Sequence, residues 1–191
     1  HKLSLVIADV TGKGVPSALY MAVARTLIRA ETGKTNSAAQ VLQRVNELII
    51  NDNQSPLFLS ALYAILDVET GGLQYASAGH DPPLCLRHAS GSVEALPTKG
   101  FLLGAFRDVS CIEEEAVLAV GDVLLLYTDG VTEARDEAGG FFGEERLKAA
   151  LTAVGKGSAE EIVAGVVTAV SQFAGSATQS DDLTLLVAKR L

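Results

Sequence analysis

Cysteine is almost missing from this 191-residue chain: Cys85 and Cys111 are the two present, each in an apolar, strand-like run. Without CxxC spacing they give neither a zinc motif nor a disulfide framework, and they read as buried thiols in a reducing compartment. Basic residues are also scarce, 15 Lys and Arg against 23 Asp and Glu, for a net charge of −8. That balance argues against a nucleic-acid partner, whose phosphates attract a basic surface. It does not exclude a phosphorylated substrate, because bound cations reverse the field locally. No apolar run is long enough to span a bilayer, and none resembles a signal peptide, so membrane insertion is not expected and a cytoplasmic location is. Repeats and low-complexity tracts are absent as well. What remains is a composition of 48% hydrophobic and 20% charged residues, that of a folded globular chain.

The apolar pattern orders this chain. Leu3 to Ala8 predicts a buried strand delivering Asp9 at its end, followed by a Thr11–Gly14 turn. Pro16 suits the first turn of a helix over 15–32. There Leu19, Val23, Leu27 and Ala30 mark one face, and Tyr20, Met21, Ala24 and Ile28 make the rest so apolar that cover on more than one side is expected. Gly33 ends this helix, and Asn36-Ser37 caps a second one reaching about Asn51. Leu57–Val68 and Leu73–Ser77 predict a hairpin around Thr70-Gly71-Gly72, and Pro83–Arg87 with Ser92–Leu96 a second. In the span 109–118 the run Glu113-Glu114-Glu115 is expected to be exposed. Val123–Tyr127 is a buried strand ending at Thr128-Asp129-Gly130, and Arg135–Gly140 a loop. Helices follow over 144–154 and 158–173, the latter with Ile162, Val163, Val166, Val167 and Val170 as its buried stripe. A loop over 176–180 and a strand over 183–188 close the chain. Hairpins and paired helices favour antiparallel sheets covered by helices over alternating βαβ units.

Three segments share one design, a buried strand beside an aspartate and a loop: Ile7–Gly12, Leu126–Gly130 and Ser180–Thr184. Carboxylates gathered at strand ends repel one another unless paired or metal-bound, and hard divalent cations take such oxygen ligands. Taken singly, each aspartate reads better as a turn or cap residue, Asp129-Gly130 being a common turn dipeptide. Spacing alone leaves their convergence open.

The order of motifs resembles a known family, the bacterial PPM-type (type 2C-like) serine/threonine phosphatases of the SpoIIE and RsbU branch. Asp9 to Leu19 is similar to its DVSGKG-x-P-A-A-L segment, Leu57–Ser60 to M-F-V-T, and Tyr75–Pro83 to Y-x-x-A-G-H-N-P-P. Gly100–Gly104 resembles G-x-P-L-G, Gly121–Ala134 resembles G-D-x-L-x-L-Y-T-D-G-V-T-E-A, and Asp181–Thr184 resembles D-D-x-T. The resemblance implies an α+β fold, a four-layer α-β-β-α sandwich of two mainly antiparallel sheets flanked by helices. It implies two Mn2+ or Mg2+ ions held by Asp9, the Val10 carbonyl, Asp129, Asp181 and, with a lesser role, Asp182, with Asp9, Asp129 and Asp181 catalytic. Water activated by the ions would attack phosphorus with no covalent phospho-enzyme. The implied substrate is a phosphorylated regulatory protein, such as an anti-sigma-factor antagonist in stress or sporulation control, with a sensor domain or second copy meeting helices 15–51.

Residues 1–191 read as a single phosphatase domain that starts inside a strand pattern, so its N-terminal strand is expected to lie upstream. The family carries a further aspartate there, in a G-G-D-x-x-D segment, and nothing in this chain replaces it. That departure supports a rival reading, a weak or inactive phosphatase fold serving as a protein-interaction module. Gly12-Lys13-Gly14 lacks the full phosphate-loop pattern; the glycines serve the turn and Lys13 reads as solvated. His80 reads as a structural hydrogen-bonding residue rather than a general acid, and Glu133 as a metal-shell neighbour or an ion-pair partner. Arg25, Arg29 and Lys34 read as a solvated face.

Overall fold

The computed structural model describes residues 1–52, 56–107, 109–179 and 181–191. Ser180, which opens the third aspartate segment and closes the loop expected over 176–180, lies outside the described residues. In chain order the elements are β1 (Lys2–Val10), α1 (Val15–Glu31), α2 (Ala38–Asp52), β2 (Leu59–Asp67), β3 (Gly72–Ala78), β4 (Leu84–Leu86), β5 (Val93–Ala95), β6 (Glu113–Val117), β7 (Val123–Tyr127), α3 (Asp129–Thr132), α4 (Gly143–Val154), α5 (Ala159–Ala174) and β8 (Leu185–Lys189). They form two compact units, one of His1–Asp81 with Pro97–Val117 and one of Pro82–Leu96 with Leu118–Leu191.

In the first unit four antiparallel strands run in the order β1-β2-β3-β6. The β2–β3 turn is set by Asp67, whose carboxylate accepts the N–H groups of Glu69 (3.0 Å) and Thr70 (2.9 Å), a side-chain turn that leaves Gly71 at positive φ. Alternate residues of β2 point to one face. Leu59, Ala61, Tyr63 and Ile65 meet Tyr20, Ala24 and Ile28 of α1 and Val41, Leu42, Val45 and Ile49 of α2.

The buried face of α1 is therefore Ser17-Tyr20-Ala24-Ile28, and the expected cover on more than one side is not found: within this unit the Leu19-Val23 face stays open. Val15, Leu19 and Val23 are 71%, 64% and 55% exposed. Both stripes are apolar, so periodicity could not choose between them; the smaller Ala24 allows the helix to approach the sheet. The glutamate run also differs from expectation. Glu113 begins an outer strand, and its carboxylate accepts Ser37 Oγ (2.8 Å) and the Ala39 N–H (3.2 Å), so that β6 holds the start of α2. An anion there meets unsatisfied N–H groups and the positive end of the helix dipole.

The second unit carries the sheet β5-β4-β7-β8, again antiparallel. All five residues of β7 are buried. Val123, Leu125 and Tyr127, with Leu84 and Leu86, pack on Leu147 and Leu151 of α4 and Ile162, Val166 and Val170 of α5. The α5 stripe is narrower than expected, Val167 being 39% exposed. Ser158 and Glu161 close a reciprocal capping box at its start. The loop expected over 135–140 holds an isolated bridge between Arg135 and Phe141.

Asp122, at the mouth of β7, is 2% exposed. It accepts Arg87 Nη1 (2.8 Å), the His88 N–H (2.8 Å) and the Ala119 N–H (3.0 Å). Burial works against its charge, but the Arg87 hydrogen bond and the two N–H groups outweigh that effect and hold the carboxyl below its ordinary range. Cys85 and Cys111 are buried free thiols, each pushed up to about 11 chiefly by burial.

Candidate active site

The first unit carries Asp9 and Val10 near the end of β1, both half-buried and paired in register with Ser60 and Leu59 of β2. Directly paired residues share a face, so Ser60 is the cross-strand neighbour of Asp9. Ser60 Oγ lies 2.8 Å from His80 Nδ1. His80 is 6% exposed, and its backbone N–H donates to Ser77 Oγ at 3.0 Å. The structural reading of His80 is therefore supported, and it acquires a use that sequence did not show: it fixes the residue opposite Asp9. Beyond Val10 the chain turns sharply. Thr11 Oγ1 donates to the Phe58 carbonyl (2.9 Å), Ser17 Oγ donates to the Thr11 carbonyl (3.2 Å), and Gly12 and Gly14 take φ values of 84° and 85°. Those angles are why glycine stands at both positions.

The second unit carries Asp129, Asp181 and Asp182, all exposed. Asp129 opens α3, a four-residue helix that the sequence reading passed over because it is shorter than any apolar period. The two carboxylate-bearing segments are held side by side through Thr128, which is buried. Its Oγ1 donates to the Asp182 carbonyl (3.2 Å) and accepts the Thr184 N–H (3.2 Å), while its own N–H donates to the Thr184 carbonyl (3.2 Å). Gly130 permits this approach, since any Cβ there would overlap the Asp182 carbonyl. Asp181 Oδ1 accepts the Asp182 N–H (2.9 Å), and Gln179 Nε2 donates to the Asp181 carbonyl (2.7 Å). Glu133 is exposed, and its N–H donates to the Asp129 carbonyl (2.7 Å).

Thus the second unit brings Asp129 next to Asp181-Asp182, and Asp9 and Val10 belong to the first. Among the described residues, no three His, Cys, Asp or Glu side chains stand together in a metal-holding group. The donors in the second unit, carboxylate and carbonyl oxygens on backbone that Gly130 lets approach closely, are of the kind a hard divalent cation takes.

In the second unit a buried strand thus delivers Asp129 beside the Asp181-Asp182 loop, and the two antiparallel sheets with helices are the fold of PP2C domains. The chain belongs to the SpoIIE family: the family model of stage II sporulation protein E matches residues 1–191. Among curated proteins it is 31% identical over 192 aligned residues to the phosphoserine phosphatase RsbU of Bacillus subtilis, covering 100% of this chain and 56% of that protein. The SiaA PP2C domain of Pseudomonas aeruginosa shares the fold at a TM-score of 0.85 and 22% identity, over 98% of this chain and 80% of that one. A Mycobacterium tuberculosis structure of RsbU and RsbW domains matches at a TM-score of 0.79 and 27% identity, over 99% of this chain and 53% of that one. The chain thus spans about half the length of RsbU. No helix of the described residues is long and apolar enough to cross a membrane.

Proposed function

We propose that the chain is the catalytic domain of a divalent-metal-dependent phosphoprotein phosphatase. It hydrolyses phosphoserine or phosphothreonine on a cytoplasmic regulatory protein of the anti-sigma-factor antagonist kind. The observation that carries this reading is the pinned apposition of Asp129 with Asp181-Asp182 through Thr128 and Gly130, in a chain matched end to end by the SpoIIE family.

We assign Asp9, the Val10 carbonyl, Asp129, Asp181 and Asp182 to hold two Mn2+ or Mg2+ ions. When bound, such ions supply Lewis acidity toward phosphoryl oxygens and lower the pKa of water. The chain's own contribution is placement. Thr128 and Gly130 fix Asp129 against Asp182, Gln179 steadies the Asp181 backbone, and the His80–Ser60 pair steadies the strand opposite Asp9. Strand ends and hydrogen-bonded turns hold oxygen ligands with little reorganisation, which favours charge stabilisation in the transition state.

The test is release of phosphate from a phosphoserine peptide with Mn2+, with EDTA, and in Asp129→Asn. Activity that requires the ion and falls at least about 100-fold in the variant supports the reading. A well-folded wild type that is silent with Mn2+, alone and with its natural upstream segment, would point instead to an interaction module. The stripe of Val15, Leu19 and Val23, exposed at helical i, i+4, i+8 spacing, supports contact of residues 15–51 with a sensor domain or a second copy.

A further inference from the structure

We propose that a cleft in the second unit beside Asp181 receives the polypeptide flanking the phosphorylated residue, and that Arg135 there pairs with a carboxylate of that segment. The inference rests on the phosphatase reading and names a substrate preference for it. The cleft has a volume of ≈ 180 Å³ and is lined by Ala134, Arg135, Val170, Ala174, Gln179 and Asp181, among others. That volume is below the ~300 Å³ of small-molecule sites, so it suits one or two side chains of an extended peptide. Small residues, Gly130, Ala134 and Ala174, leave room in it, and Asp181 is part of its lining, so a chain with its phosphoserine at that aspartate continues into the cleft.

Both walls are braced. The Arg135 guanidinium lies 4.5 Å over the Phe141 ring, a stacking that limits its rotamers. The loop beyond it is tied by Asp136 Oδ1, which accepts the N–H groups of Ala138 (3.0 Å) and Gly140 (2.7 Å). Opposite, the Glu137 carboxylate accepts Ser176 Oγ (2.5 Å) and the Ser176 N–H (3.3 Å), joining the two loops. Among the described residues, Arg135 makes this ring contact and no ion pair. In a chain of net charge −8, a braced, exposed arginine in the lining of a cleft is the complement of an acidic segment.

The experiment compares p-nitrophenyl phosphate, a phosphoserine peptide with glutamates on both flanks, and its glutamine counterpart, all with Mn2+. We expect wild type to favour the glutamate peptide about five-fold in kcat/KM, the scale of one exposed ion pair, with the difference carried by KM. Arg135→Gln reduces the preference to below about two-fold, and Arg135→Lys retains part of it. Ala174→Leu, which fills the cleft, raises KM for both peptides. Equal use of the two peptides by wild type, or a preference that survives Arg135→Gln, overturns the proposal. If wild type, alone and with its natural upstream segment, hydrolyses neither the peptides nor p-nitrophenyl phosphate, the phosphatase reading fails separately. Fluorescence anisotropy of the labelled peptides then decides the cleft: tighter binding of the glutamate form, lost in Arg135→Gln, upholds it, and equal binding overturns it.

Discussion

Replacing Asp122 by alanine removes a carboxylate that is 2% exposed and leaves three donors behind. Hydrogen bonds to a charged acceptor contribute about 1.5–3 kcal/mol each, so three would sum to more than ~4 kcal/mol. Water offsets part of this, because the Arg87 side chain is 27% exposed and both His88 and Ala119 are exposed. We therefore expect a loss of about 3 kcal/mol, near the lower end of the range for breaking a buried ion pair. In a chain of this length that corresponds to a fall in Tm of about 9 °C. Urea and thermal denaturation followed by circular dichroism measure both. The folded carboxyl titrates below its unfolded value, so its stabilisation is complete above about pH 4 and is lost as pH falls through the folded pKa. The gap between wild type and Asp122→Ala should accordingly narrow in acid. A loss below about 1 kcal/mol at pH 7, or strict additivity with Arg87→Ala in a double-mutant cycle, would refute this account of the β4–β7 connection.

Gly130→Ala should separate Asp129 from Asp182 and lower metal-dependent activity more than ten-fold while the chain stays folded; activity within two-fold of wild type would contradict the assigned close approach. His80→Ala should cost about 2 kcal/mol of stability in urea titrations by orphaning Ser60. The shape of its pH–rate profile should persist, and loss of one limb would instead make His80 an acid–base group. Leu19→Glu, on an exposed face, should change stability by less than about 0.5 kcal/mol. Sedimentation should show altered self-association or sensor binding, and no change in either would remove the docking role of α1.

Much of this arrangement was legible in advance because it rests on local signals. Gly33 and Thr70-Gly71-Gly72 announce a helix end and a turn, and the structure places elements accordingly. The aspartates were found through collinear motifs, since spacing alone could not separate Asp129-Gly130 from an ordinary turn. Contacts between distant residues were not legible. Glu113 reaches Ser37 across 76 positions, so a run of three glutamates looked merely solvated. Cover on more than one side of α1 was expected because both of its stripes are apolar, and only the sheet decides which of them is buried. The support of Ser60 by His80 likewise depends on a strand register that no local pattern encodes.

The grip of Glu113 on α2 makes the helical pair mechanically unequal. That helix is latched to an outer strand at its first turn by a charged group as well as by Ser37. Its neighbour begins at Gly14, without a side-chain cap and without an acidic residue in its first turn. Force applied to the pair by any attached domain would therefore be taken up first at the Gly12–Gly14 pivot, one turn of chain away from Asp9. In native-state hydrogen exchange the first turn of α1 should open well before that of α2. The strand that carries Asp9 is thus joined to the softer of the two levers.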